Sequence, residues 1–215
     1  MSLGDVWPLF DLELRTPRLR LAPVRDEQLP EVVDAVLAGI HDPSVMPFSV
    51  PWTEAPREQL IRETAKHQWR QRCTVEPGNW TLNFAVEFEG RVVGMQDVSA
   101  RDFALLRTVN SGSWLTQSAQ GQGLGKEMRA AVVLFAFDYL KATAALSEAA
   151  DWNVASLGVS KSLGYRANGV SDVVDRPGKV TRLVHIRVEE EFLKRPEWSL
   201  QVSGFEPVKA LLTGE

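Results

Sequence analysis

A single cysteine, Cys73, occurs among the 215 residues, so no internal disulfide can form, and that usage fits a reducing compartment. No apolar run approaches the roughly 20 residues that a membrane-spanning helix needs. Met1 to Asp5 lack the charged flank and apolar core of a targeting segment, and the expectation is a soluble, cytoplasmic protein with no membrane partner. Charge of neither sign is gathered into a block: 24 Lys and Arg against 28 Asp and Glu leave a formal net charge of −4. Without a basic face, nucleic acid is excluded as an expected partner. Internal repeats and low-complexity tracts are also missing. What is present is a hydrophobic content of 44%, enough for one large domain with a buried core.

The patterning alternates between helix and strand periods. Arg18-Leu19-Arg20-Leu21 reads as an opening strand closed by Pro23. Leu29, Val32, Val33, Val36, Leu37 and Ile40 recur at helical spacing. Residues 57–72 form a second, more polar helix whose expected inner face is Leu60, Ile61, Thr64 and Trp69. Residues 80–88, 91–98 and 108–116 read as an antiparallel meander. A helix beginning at Leu124 and a strand over 143–150 follow, which makes a right-handed crossover with a parallel strand pair. Residues 153–163 are a helix capped by Asn153 and stopped by Gly164, and 165–174 with 179–188 form a final hairpin around Arg176-Pro177-Gly178. The main domain is expected over 1–195. Residues 196–215 form a C-terminal extension in which Trp198 to Val202 alternate as a strand does, either on the edge of their own sheet or against a second subunit of a homodimer or higher homo-oligomer.

The segment Gln120-Gly121-Gln122-Gly123-Leu124-Gly125, between a strand and a helix, is the most informative. Glycines on alternate positions let backbone N–H groups converge on an anion while the following helix adds the positive end of its dipole. A Walker loop would need a glycine at Gln120 and a Ser or Thr at Glu127, and a dinucleotide fingerprint starting at Gly121 would need a glycine at Lys126. Neither fits. A tight strand-to-helix turn is the structural alternative.

The pattern Gln/Arg-x-x-Gly-x-Gly/Ala, met by Gln120, Gly123 and Gly125, resembles the GCN5-related N-acetyltransferase (GNAT) superfamily, which cradles the pyrophosphate of coenzyme A there. Asn153-Val154-Ala155-Ser156 and Lys161-Ser162-Leu163-Gly164-Tyr165 resemble a second element of that family, at the expected distance. Residues 14–21 and the strand Gly112-Ser113-Trp114-Leu115 are similar to the branch that acetylates ribosomal-protein N-termini. The likeness covers residues 12–188. It implies an α/β (α+β) fold with a mixed, mostly antiparallel twisted sheet of about seven strands flanked by helices, a parallel pair lying at the acyl-CoA site.

The resemblance also implies an N-acyltransferase that moves an acetyl or succinyl group from acetyl-CoA, succinyl-CoA or another acyl-CoA to a primary amine by direct attack, with no metal. Donor contacts then fall to Leu115, Thr116, Gln120, Gly121, Gln122, Gly123, Leu124, Gly125, Lys126, Asn153 and Ser156. A backbone N–H of Leu115 or Thr116 would face the oxyanion. Relatives place a tyrosine seven residues after the motif asparagine, where this chain has Ser160; Ser156, or else Ser160, would donate to the departing sulfur. Asp97, Asp102, Glu148, Asp151 and His41 are candidates for the base. On the acceptor side Met46, Phe48 and Trp52 would wall a pocket in which His41, Asp42 and Asp102 meet the amine, the alternative being that these aromatics plug the core edge. Arg107 or Lys66 near that pocket would favour a carboxylated donor. The acceptor is a small-molecule amine, a protein N-terminus or a lysine. A coenzyme A-binding sensor without catalysis is the competing reading, because the tyrosine and an obvious base are missing.

Overall fold

The computed structural model describes residues 1–215. In chain order the regular elements are α1 (Leu3–Val6), β1 (Glu13–Arg15), β2 (Leu19–Pro23), α2 (Leu29–Leu37), α3 (Arg57–Cys73), β3 (Trp80–Phe88), β4 (Arg91–Ala100) and α4 (Phe103–Leu106). There follow β5 (Thr108–Asn110), β6 (Ser113–Leu115), α5 (Leu124–Leu134), β7 (Ala144–Ala150), α6 (Val154–Ser162), β8 (Arg166–Arg176), β9 (Lys179–Glu189), β10 (Gln201–Ser203) and α7 (Lys209–Thr213).

They build one sheet in the order β10-β1-β2-β3-β4-β5-β7-β9-β8, with β6 pairing only to β4. Every pairing is antiparallel except β5 with β7. The architecture is the mixed, largely antiparallel sheet expected, with its single parallel pair. It has ten strands because the opening and the 108–116 stretch each divide in two and the C-terminus adds one.

Alternation along β3 sorts the two faces. Leu82, Phe84 and Val86 point into a 34-residue core shared with α5, whereas Ala85 meets Val32 and Ala35 of α2. α5 is buried nearly all round, as a helix enclosed between sheet and neighbours must be, and it runs on into a π-helical turn at Phe135–Tyr139. The inner face of α3 is Leu60, Thr64 and Gln68, spaced four apart. Trp69, expected there, is instead 44% exposed and donates to the Asp26 carboxylate at 3.1 Å. Gln68 takes the inner position because Asn83 on β3 donates to its side-chain oxygen at 3.0 Å, which satisfies a buried amide.

The segment after Pro196 folds back onto its own chain. β10 pairs with β1, Glu13 opposite Ser203, and the Trp80 indole donates to the Leu212 carbonyl at 2.8 Å. Phe205, Val208 and Leu212 join the main core. The strand-like residues therefore extend the chain's own sheet edge.

The strand expected over 108–116 breaks at Ser111 and Gly112 for a local reason. The Gly112 carbonyl accepts from Asp97 N–H at 2.9 Å, but Gly112 N–H donates to the Asp97 carboxylate at 2.8 Å rather than to the ladder. A side chain at position 112 would meet that carboxylate, since an added Cβ lies 2.8 Å from Asp97 Oδ2. Ser111 N–H still reaches Leu146 at 3.0 Å, yet β6 beyond it has no partner on the β7 side. β6 and β7 diverge there.

A buried carboxylate fixes the loop that follows. Glu127 in the first turn of α5 is 7% exposed. It accepts from Thr16 Oγ1 at 2.6 Å, Arg18 N at 3.0 Å and Arg18 Nε at 2.7 Å, while Arg18 also donates to the Gln122 carbonyl at 3.0 Å. The β1–β2 turn is thereby pinned to the glycine loop. Glu127→Ala strands these donors, and the expected loss of stability is about 2–4 kcal/mol, measured by urea denaturation; a loss below about 0.5 kcal/mol would show the tie to be dispensable.

Candidate functional site

A cavity of about 1290 Å³ opens where β6 and β7 part. Its donor-side wall starts at the glycine loop. Gly121 and Gly123 sit at φ +75° and +81°, the left-handed region where other residues are strained. An added Cβ at Gly121 meets nothing within 4 Å, so the loop is bare toward the cavity rather than pressed against protein. Gly123 is the N-cap of α5 and offers no side-chain cap. The first intrahelical bond in this turn runs from Glu127 N–H to the Gly123 carbonyl at 3.2 Å. The amides of Leu124, Gly125 and Lys126 have no such partner. Three free N–H groups at the positive end of a helix suit a phosphate group.

Along β6, Thr116 N–H pairs with the Val93 carbonyl at 2.8 Å and Asp97 N–H with Gly112 at 2.9 Å. Antiparallel alternation then turns the N–H groups of Ser113 and Leu115 away from β4, toward the gap. Thr116 is corrected as an oxyanion donor because its amide is engaged; Leu115 is the residue whose amide faces the opening. Gln120 braces the wall, its Nε2 donating to the carbonyls of Ile40 at 2.6 Å and Leu115 at 2.9 Å. Opposite, Asn153 caps α6 by accepting Ser156 N–H at 3.1 Å, which leaves its side-chain N–H groups and the Ser156 hydroxyl without partners in the chain.

The structure gathers most of the residues proposed from sequence into this one cavity: His41, Asp42, Phe48, Trp52, Leu115, Gln120, Gly121, Gly123, Gly125, Lys126, Asn153 and Ser156. Six others lie off its wall. Thr116 is buried with its amide used, and Gln122 turns outward to donate to the Ser118 carbonyl at 2.8 Å. Leu124 is a core side chain that contributes only its amide. Ser160 is buried and its hydroxyl is spent on the Ser156 carbonyl at 3.1 Å, so it does not reach a departing sulfur. Met46 is fully buried beneath the loop, its sulfur 3.9 Å from Thr53 Oγ1. Asp102 is the left-handed N-cap of α4, and its amide is held by Asn79 at 3.1 Å. Lys66 and Arg107 are also away from the cavity: Lys66 pairs with Glu63 at 2.8 Å, and Arg107 donates to the Lys141 carbonyl at 3.0 Å.

Two groups matter more than their sequence positions suggested. Asp97 lines the cavity, and burial raises its carboxyl to about 6 against the pull of Gly112 N–H and the Arg129 charge. Arg129, one turn after Gly125, is 4% exposed. It donates only to Ser113 Oγ at 3.4 Å, and its Nε and Nη1 lack partners. Beside it, burial pushes the Tyr165 phenol upward despite the Arg129 charge and the pull of Ser111. From sequence Arg129, like Lys126, reads as a phosphate partner or, more commonly for a helix charge, a solvated one; its burial has no local signal.

The divergent strands, the bare glycine turn and the helix N-terminus on one cavity define an acyltransferase architecture of the acetyl-CoA-using type. Residues 18–166 match the family model described as an acetyltransferase (GNAT) domain, and the chain belongs to that family of enzymes. Solved structures share the fold. RimJ of Mycobacterium smegmatis, in complex with CoA-disulfide, is 19% identical with a TM-score of 0.70, covering 94% of each chain. A GCN5-related N-acetyltransferase from Brucella melitensis is 17% identical with a TM-score of 0.65, over 83% of this chain and 79% of that one. RimL, a ribosomal-protein α-N-acetyltransferase in its apo form, is 13% identical with a TM-score of 0.63, over 81% and 91%.

Asp97 gives a pH signature with a definite sign. Its folded value of about 6 lies above the ordinary aspartate value of 3.8, so the folded state holds the proton longer than the unfolded state does. Its contribution favours folding at low pH and is lost as pH rises from about 4 through about 6. Asp97→Asn keeps an oxygen for Gly112 N–H and removes the titration. The stability of the variant minus that of the wild type should rise by about 2–3 kcal/mol between about pH 4 and pH 7; a difference that does not vary with pH in paired urea melts contradicts the assignment.

Proposed function

We propose that this enzyme transfers an acyl group, acetyl in the first instance, from acyl-CoA to a primary amine by direct attack in a ternary complex. The observation that carries the reading is the opening of the bare glycine turn and the unpaired β6 edge onto a single cavity. The pyrophosphate fits the amides of Leu124, Gly125 and Lys126, with Lys126 adding charge. The pantetheine arm fits between β6 and β7, where unpaired amides replace a strand partner. As the amine nitrogen forms its bond to the thioester carbon, negative charge grows on the carbonyl oxygen, and Leu115 N–H is placed to receive it. The carbon–sulfur bond then breaks, and the Ser156 hydroxyl donates to the thiolate.

The amine must shed one proton. Asp97, titrating near 6, is ionised at neutral pH and basic enough to take it directly or through water. An enzyme is supported over an inert coenzyme A sensor, because a donor cradle, an oxyanion amide and a base converge. RimL is a ribosomal-protein α-N-acetyltransferase, and a protein N-terminus or lysine stands beside a small amine as an acceptor class.

Gly123→Asp places a carboxylate against the pyrophosphate and strains the turn, so calorimetry with coenzyme A should show affinity lowered at least about ten-fold; unchanged affinity would remove the cradle. One feature favours a second donor, an acyl-CoA with a terminal carboxylate: the Arg129 guanidinium, whose Nε and Nη1 have no partner, lines the same cavity. On that reading Arg129→Met lowers kcat/KM for succinyl-CoA about ten- to hundred-fold relative to acetyl-CoA, read by thiol release. An equal loss with both donors assigns Arg129 a structural role instead.

A further inference from the structure

The acceptor end of the cavity has a composition of its own. His41, Phe48, Trp52 and Trp114 form a continuous aromatic wall, with centroids 5.7 Å apart from His41 to Phe48, 5.3 Å from Phe48 to Trp52 and 6.4 Å from Trp52 to Trp114. Trp114 belongs to β6, so the wall leads from the 41–55 loop to the strand whose amides face the gap. The charges on the cavity mostly cancel. Glu63 lies 3.7 Å from Arg70, Asp97 feels Arg129, and His67 is held toward its neutral form by burial and by Arg70. Lys126 stands at the donor end.

Two carboxylates on the cavity are left without a lysine or arginine partner. Asp42 is kept ionised by the Ser44 amide, which donates to it at 2.8 Å, and it adjoins the aromatic wall. Glu148, across on β7, has only His185 at 3.2 Å. Arg176 at the tip of the β8–β9 hairpin bonds to Glu54 in the turn that carries Trp52, so the rim is bridged on that side.

An aromatic wall with an unpaired carboxylate recognises an organic cation. Ring faces attract an ammonium through their quadrupoles, and the carboxylate supplies the counter-charge. The reacting amine cannot be that cation, because it must be neutral when it attacks and sits by Asp97. A second cationic group on the same molecule can be. We infer that the acceptor is a small aliphatic diamine or polyamine, with one nitrogen presented to the thioester while a second, protonated nitrogen rests between the Phe48–Trp52 wall and Asp42. This rests on the acyltransferase reading and specifies its substrate. The bridged rim suits a slender small molecule rather than the terminus of a folded protein.

Cadaverine and pentylamine, which match in chain length and differ in the second nitrogen, test this directly alongside a short peptide with a free N-terminus. With acetyl-CoA and succinyl-CoA as donors, thiol release should show kcat/KM for cadaverine at least about ten-fold above that for pentylamine and the peptide. Asp42→Asn and Trp52→Leu should each raise the cadaverine KM about ten-fold while leaving the acyl-CoA KM in place. Cadaverine should also quench tryptophan fluorescence of the enzyme in the absence of donor, and less so in Trp52→Leu. Equal use of pentylamine, preference for the peptide, or no turnover of cadaverine overturns the inference while coenzyme A binding by calorimetry keeps the acyltransferase reading intact. Loss of that binding is the separate result that would undo the reading beneath it.

Discussion

The site depends on one carboxylate in an unusual place. Asp97 projects from β4 into the line where the next strand would continue, and Gly112 yields its N–H to it. Because Gly112 has no side chain, the carboxylate fits, and the stretch that would have been one strand becomes β5 and β6. β5 still pairs with β7 on the far side of the break, Asn110 opposite Leu146. β6 pairs only with β4. Unpaired main-chain groups inside a protein cost about 1–3 kcal/mol each, so a sheet opens only where something else meets them. Ser147 covers part of that need by donating to the Ser111 carbonyl at 2.7 Å. The amides of Ser113 and Leu115 are left without a strand partner.

The same break concentrates electrostatic tension. Arg129 is buried and retains Nε and Nη1 without partners, while the half-buried Asp97 carboxylate has Gly112 N–H as its hydrogen-bond donor. Taking such groups from water is costly. A stable core of this size would ordinarily satisfy them or replace them with apolar side chains. Both line the one cavity, and departures from local consistency of this kind gather at working sites. On the proposed mechanism the raised carboxyl of Asp97 is the chemical gain from that arrangement, since an ordinary surface aspartate would be too weak a base.

How much of this was legible depended on whether the signal was local. The glycine turn, α5, α6 and the β8–β9 hairpin follow from spacing and punctuation, because glycine dihedrals, caps and periodicity are set within a few residues. The break at Gly112 was not legible, since it depends on a carboxylate 15 residues earlier. Trp69 and Gln68 exchanged roles because Asn83, on another element, decides which α3 face is wanted. The burial of Arg129 and Glu127 has no local signal either, and only the β1–β2 turn and the strand gap show why both are buried. Ser160 was placed near the sulfur by its motif position, but a hydroxyl inside a helix can bond back to its own carbonyl, and here it does.

The two ends of the cavity are built from different materials. The donor end is main chain: free amides at the start of α5, the open edge of β6, and glycines whose only requirement is a missing Cβ. Such a surface is specified by backbone path and tolerates wide changes in side chains, which is why the fold, with TM-scores of 0.63 to 0.70, is shared with enzymes at 13–19% identity. The opposite end is made of side chains: His41, Phe48 and Trp52 from the 41–55 loop, Trp114 from β6, and the carboxylates Asp42 and Glu148. On the proposed function, a change of a single ring or charge there alters what amine fits without disturbing how the acyl carrier is held. Generality of donor and particularity of acceptor follow from that division of backbone and side chain.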